Sequence, residues 1–193
     1  AADIGATCRA LLDLRPEPGE IVFVDDASTD GTPDIIRRYL VRPNMRLIVQ
    51  PANRGPATAR NTGIGATSSE IVVFVDADVL LPQDFLARLS RHYEQGADTV
   101  AVEAAVPASD AACERFFQAQ HHYLYGDDRE VGWSQAFSCR RSLAVSAGLF
   151  AEALPVPGGE DGEFVERLSL RTSRRVIDKT IVVHHVTPST IRE

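Results

Sequence analysis

The sequence predicts an α/β domain, a mainly parallel sheet with helices on both faces. Three observations predict it. Short β-branched runs alternate with stretches of helical periodicity through the first hundred residues, the signature of βαβ units. Acidic pairs, Asp25–Asp26 and Asp76–Asp78, stand at the carboxyl ends of two such runs, where ligands of parallel α/β sheets gather. The chain has 193 residues and 44% hydrophobic content, enough for one well-buried domain.

In order, "ADIGATCRALLDL" (2–14) reads as a helix, with Ile4, Cys8, Leu11 and Leu12 at helical spacing. "EIVFVDD" (20–26) is a buried strand, and "TPDIIRRYL" (32–40) a helix with Thr32 as N-cap and Pro33 at its first position. "RLIVQ" (46–50) is a strand, "GPATARNTGIGAT" (55–67) a helix opened by Pro56, and "EIVVFV" (70–75) a strand. "LPQDFLARLSRHYEQG" (81–96) is a helix closed by Gly96, followed by the strand "DTVAVEAAV" (98–106). After Val106 the alternation weakens: a helix in "ACERFFQAQHHYLYG", a strand into a turn in "GWSQAFSCRR", the loop "ALPVPGGED", a helix in "GEFVERLSL" and a strand in "RRVIDKTIVVHH". Residues 1–106 and 107–193 are thus expected as two halves of one domain.

A net charge of −7 argues against nucleic acid or an anionic membrane surface as the main partner. It also means that a phosphate-bearing ligand would need a metal or a local arginine cluster. Cys8, Cys113 and Cys139 are far apart and lack metal-ligand spacing, so they read as core hydrophobes in a reducing compartment. No apolar run approaches bilayer length and no signal peptide is evident, so a cytoplasmic location is expected.

The stretch "IVVFVDADVLL" (71–81) ends an apolar run with two carboxylates separated by one alanine. In an extended chain they point the same way, roughly 6.5–7 Å apart. Either this is a solvated strand end, where Asp favours turns, or it is a site for a hard divalent cation such as Mg²⁺ or Mn²⁺.

Five segments together, in order and spacing, resemble the family 2 glycosyltransferases of the GT-A fold: "VDDASTDGT" (24–32), "NRGPATARNTGI" (53–64), "IVVFVDADVLLP" (71–82), "FSCRRSLAVSAGLF" (137–150) and "GGEDGEFVERL" (158–168). The resemblance implies a nucleotide-diphosphate-sugar donor, a UDP-sugar being favoured, and a sugar, lipid or polysaccharide acceptor, with membrane proximity allowed. It puts Asp26 at the nucleobase with Asp25 beside it, and Arg60 near the nucleotide and its diphosphate with Asn53, Arg54 and Gly55 upstream. Asp76 then lies near the ribose, and Asp78 binds the Mn²⁺ or Mg²⁺ that bridges the diphosphate. Ser28 to Thr32 also read simply as a turn and helix cap, and Arg60 as a surface helix residue.

In "GGED", Asp161 matches the family's general base with Glu160 beside it, although acids at a helix N-terminus are also favoured as caps. Arg167 is expected to brace that helix. His184 stands where such enzymes often place a histidine near the metal, and its neighbour His185 must face the other way. His121 and His122 read as packing or acceptor-side surface. The implied chemistry is inverting displacement, with Asp161 taking the acceptor hydroxyl proton. The family's processive Gln-X-X-Arg-Trp signature is absent, which favours transfer of single sugars.

One departure is large. The family begins with a strand ending in a Pro–X–Tyr–Asn-like loop beside the nucleobase, and these residues begin with the helix that follows it. An open place in the sheet is therefore expected. An inactive sugar-nucleotide-binding or assembly module is the alternative. A haloacid-dehalogenase-type phosphatase is disfavoured because Lys179, the sole lysine, follows Glu160–Asp161. A dinucleotide dehydrogenase lacks any Gly-X-Gly-X-X-Gly after a strand.

Overall fold

The computed structural model describes residues 4–105, 136–154 and 159–186. Helix α1 (Ile4–Asp13) leads into β1 (Ile21–Asp25), α2 (Thr32–Tyr39), β2 (Met45–Val49), α3 (Pro56–Ala66), β3 (Ile71–Val73), β4 (Val79–Leu80), α4 (Phe85–Glu94) and β5 (Thr99–Ala105). Then come β6 (Ser138–Arg140), α5 (Arg141–Ser146), α6 (Glu160–Ser169) and β7 (Arg175–His185). The helix expected over 112–126 and Cys113, His121 and His122 lie outside the described residues. Helix α2 includes Thr32, with Gly31 at its cap, one residue earlier than its composition suggests.

The α/β class holds, but the sheet is mixed. Strands β1 and β2 pair in parallel, as do β5 and β7. The pairs β3–β6, β5–β6 and β4–β7 are antiparallel. The strands that break the parallel pattern are β6, from the region where βαβ alternation fails, and the short β4; β7, from the same region, still runs parallel to β5. The short β4 was not foreseen. It returns the chain beside β7 directly after Asp76–Asp78, and Val186 N–H donates to Asp78 C=O at 2.7 Å. Strands from the 1–106 half and the 107–193 half share the five-stranded sheet β3-β6-β5-β7-β4, so the halves interlock rather than sit side by side.

Two apolar clusters hold these layers. The larger joins α1 (Ile4, Cys8, Leu11) to Phe23 of β1, Phe85 and Leu89 of α4, and Val183 of β7. The smaller gathers Ile64 of α3, Phe74, Phe150 and Phe164 with Cys139. In it the Phe150 and Phe164 rings stack at 3.9 Å, with Phe74 edge-on to both. Cys8 and Cys139 are buried free thiols, as their scattered positions predict. Burial pushes the Cys139 thiol up to about 12, and burial likewise raises that of Cys8 despite the nearby Arg9 charge.

Among the described residues, β1 pairs only with β2, and β3 only with β6. A slot of about 750 Å³ separates the other edges of β1 and β3, lined by Phe23, Val24, Val72, Phe74, Leu14 and Phe85 among others. Helix α1 closes one side, fastened by Thr7 Oγ1 donating to Ala77 C=O at 2.7 Å. This is the open place expected from the resemblance. Joining an extended β-branched segment of about five residues ahead of residue 1 is expected to raise the melting temperature. Each kcal/mol gained shifts the midpoint by roughly 2–4 °C for a domain of this size. A thermal unfolding curve unchanged by the addition would count against the slot as a strand site.

Candidate active site

The site lies where β1, β3 and α6 present their acidic residues to α3. Asp25 ends β1, is buried, and accepts Ser28 N–H at 3.0 Å, which folds the chain back after the strand. That turn puts Ala27 at φ 60, a left-handed conformation costly for a residue with a Cβ. Asp26 accepts from the backbone N–H groups of Arg54 at 2.9 Å and Gly55 at 2.7 Å. Gly55 has φ 87 and ψ 168, a region open essentially to glycine alone, and this conformation starts α3 while aiming its amide at Asp26. So the "NRG" run works through its backbone: it is the loop that Asp26 fastens. Asn53 is exposed on the same loop.

One turn into α3 stands Arg60. Its Nη1 donates to Asp161 at 2.7 Å and to Glu160 at 2.9 Å, and its Nη2 to Asp76 at 3.1 Å. Only 15% of its side chain is exposed. Burial lowers the guanidinium's pKa, but the charges of Asp161 and Asp76 outweigh this and raise it. For Glu160, burial raises the carboxyl's pKa, while a backbone hydrogen bond and Arg60 bring it below the ordinary value. Asp161 and Glu160 open α6 behind Gly159, whose φ of 87 turns the loop into the helix. Arg167 braces α6 as expected, binding Glu163 within the helix and the carbonyls of Ala147 and Leu149 before it.

Asp78 stands apart from this knot. His185 Nε2 lies 3.3 Å from its Oδ2. The imidazole brought to Asp78 is therefore that of His185; His184 is exposed and pairs across β4 with Leu80. The reason is legible in β7: Ile181 and Val183 are buried, so the period-two alternation carries His185 inward and His184 outward. Burial raises the Asp78 carboxyl's pKa; His185 pulls it down and the charge of Asp76 pushes it further up. Carboxylates with an imidazole are a donor set suited to Mn²⁺. Asp76, however, bonds Arg60 through its Oδ1, and among the described residues no group of three His, Cys, Asp or Glu is placed to hold a metal ion. Asp78 and His185 fit such an ion, and the charge of Asp76 is felt at Asp78.

Sequence reading missed Asn61. Its Nδ2 donates to Phe150 C=O at 2.9 Å and to Glu152 at 3.0 Å, and its Oδ1 accepts Phe150 N–H at 2.9 Å. The signal was its place beside Arg60, on a helix with a polar row and little apolar patterning.

Among known proteins, the pattern described as Glycosyl transferase family 2 matches residues 1–141. Succinoglycan biosynthesis protein ExoO of Rhizobium meliloti is 30% identical over 74% of this chain and 44% of its own length. Putative glycosyltransferase EpsH of Bacillus subtilis is 29% identical over 64% of this chain and 39% of its own. The chain thus spans less than half the length of these curated relatives. In three dimensions it resembles S. aureus TarS 1-349 in complex with UDP-GlcNAc, with TM-score 0.74 and 19% identity over 96% of this chain and 55% of that one. It also resembles the mannosyltransferase PcManGT from Pyrobaculum calidifontis in complex with GDP-Man and Mn²⁺, with TM-score 0.74 and 24% identity over 96% and 53%.

Replacing Asn61 by Ala removes its hydrogen bonds to both polar groups of the Phe150 backbone. The expected loss is about 1–3 kcal/mol of stability, read from the urea midpoint; an unchanged midpoint would mean the loop before α6 is held without it. The chain belongs to glycosyl transferase family 2.

Proposed function

We propose that this domain is a metal-dependent, inverting glycosyltransferase that moves one sugar from a nucleotide-diphosphate donor to an acceptor hydroxyl. The observation that carries the proposal is the meeting of Asp161 with Asp76 on one guanidinium, which sets a candidate base beside the strand end expected to face the donor. The solved relatives bind UDP-GlcNAc and, with Mn²⁺, GDP-Man, which supports a nucleotide-sugar donor here; uridine remains the favoured base. The names of relatives, succinoglycan biosynthesis protein and bactoprenol glucosyl transferase, support a saccharide or lipid-linked acceptor.

In this reading Asp25 and Asp26 form the nucleobase end, with Asp26 holding the Asn53–Gly55 loop as one wall. Asp76 faces the ribose. Asp78 and His185 hold Mn²⁺ or Mg²⁺, which when bound supplies positive charge for the departing diphosphate. Asp161 accepts the acceptor's O–H proton as that oxygen bonds to the anomeric carbon. The bond from that carbon to the diphosphate oxygen breaks on the opposite face, and the nucleoside diphosphate leaves with the electron pair. The configuration inverts because a single displacement occurs. Glu160, drawn to the same arginine, keeps the charge around Asp161 negative.

Asp161→Asn keeps size and hydrogen bonding but takes no proton. Transfer is expected to fall about 10²–10⁴-fold with donor affinity nearly unchanged, whereas Asp78→Asn weakens Mn²⁺-dependent donor binding as well as turnover. A helix-capping role alone would instead cost about 0.5–2 kcal/mol of stability with activity per folded molecule intact. Melting temperature, donor affinity and transfer rate measured on each preparation separate these outcomes. Transfer at the parent rate by Asp161→Asn would sink the base assignment.

A further inference from the structure

We propose that Arg60 is the positioning residue of this site, fixing where Asp161 stands relative to the donor-side carboxylate Asp76. The inference rests on the reading of Asp161 as base. It differs from the expectation that Arg60 serves the donor's diphosphate, and the difference comes from the contacts. The guanidinium is committed to carboxylates on both sides, Asp76 after β3 and Glu160 and Asp161 on α6. Its N–H groups leave a planar fork at fixed angles, so the fork sets the spacing of whatever it binds.

The fork itself is held. Its face lies over the Phe150 ring, 5.4 Å from the centroid. That ring stacks on Phe164, one turn beyond Asp161 on α6. Asn61, the next residue on α3, fastens the Phe150 backbone through both its N–H and its C=O. The helix that carries Arg60 therefore grips the base helix twice, through charge at Asp161 and through the Phe150 backbone. Asp161 itself sits in the first turn of α6, behind the left-handed Gly159, and its carboxylate meets the fork there. An arginine that only bound the donor would govern affinity; one that positions the base governs turnover.

The test is a cycle of Arg60→Gln, Asp161→Asn and the double variant, with Arg60→Lys alongside. Donor Kd in Mn²⁺, transfer kcat and melting temperature are read for each. Arg60→Gln is expected to lower kcat about 10- to 100-fold, the worth of a misplaced reacting group, with donor Kd within about threefold. In the Asp161→Asn background the same change should cost less than about threefold more, because coupled residues are not additive. Arg60→Lys keeps the charge without the fork, and recovers stability but only part of kcat. If Arg60→Gln does not fold, Arg60→Lys carries the test: lowered kcat with donor Kd intact supports the proposal, and parent kcat overturns it. The proposal is also overturned if donor Kd weakens as much as kcat falls, or if Arg60→Gln costs as much without Asp161 as with it. Asp161→Asn at the parent rate would sink the base reading itself, whatever the Arg60 variants do.

Discussion

The guanidinium of Arg60 draws together carboxylates from two distant parts of the chain, and much of the molecule is arranged so that it can. Asp76 arrives at the end of β3; Glu160 and Asp161 arrive some eighty residues later at the start of α6. Taking such groups out of water is costly unless charge and hydrogen bonds compensate. Taken by themselves, three carboxylates and one guanidinium leave two excess negative charges. That imbalance makes the neighbourhood attractive to a cation, and in the proposed function a positive ion beside Asp78, rather than a basic surface, is what lets an acidic protein gather an anionic donor.

Helix α3 is the physical carrier of this arrangement. Its first turn is set by Gly55 and Pro56, and the amides just before it hold Asp26. Its middle holds Asp76 and Asp161 through Arg60, and the Phe150 loop through Asn61. The ends of β1 and β3 and the start of α6 therefore all refer to one helix. The strained Ala27 beside Asp26 fits the same account, since the chain accepts an unfavourable backbone there to turn directly after the acidic pair.

Much of this was readable from residue order. Strands ending at Asp25 and near Asp76 follow from β-branched runs, and α3 from its proline and spacing. The family resemblance drew attention to Asp78, Asp161 and Arg60. What stayed hidden depends on contacts between distant segments. The mixed sheet arises from β4 and β6, whose partners no local pattern names. Arg60 reads locally as a surface helix residue, and the resemblance puts it near the diphosphate; sequence shows its charge but not the acids that reach it. The histidine facing Asp78 was within reach: counting alternation back from His185 through Val183 to Ile181 gives the inward face, whereas placing it by family position pointed one residue away. Asn61 gave only a faint signal, its place beside Arg60, because its partners, the Phe150 backbone and Glu152, lie some ninety residues away in sequence.

The two buried cysteines have a consequence for observing the molecule. Cys8 belongs to the cluster under α1, and Cys139 to the aromatic cluster beside α3 and α6. Burial deprives both thiols of water and disfavours the thiolate that reacts. Each is silent toward an alkylating reagent until its own cluster opens. Among the described residues the chain thus carries two native clocks, one under the helix that walls the slot and one beside α6, and the rates at which they are modified measure how independently those regions breathe.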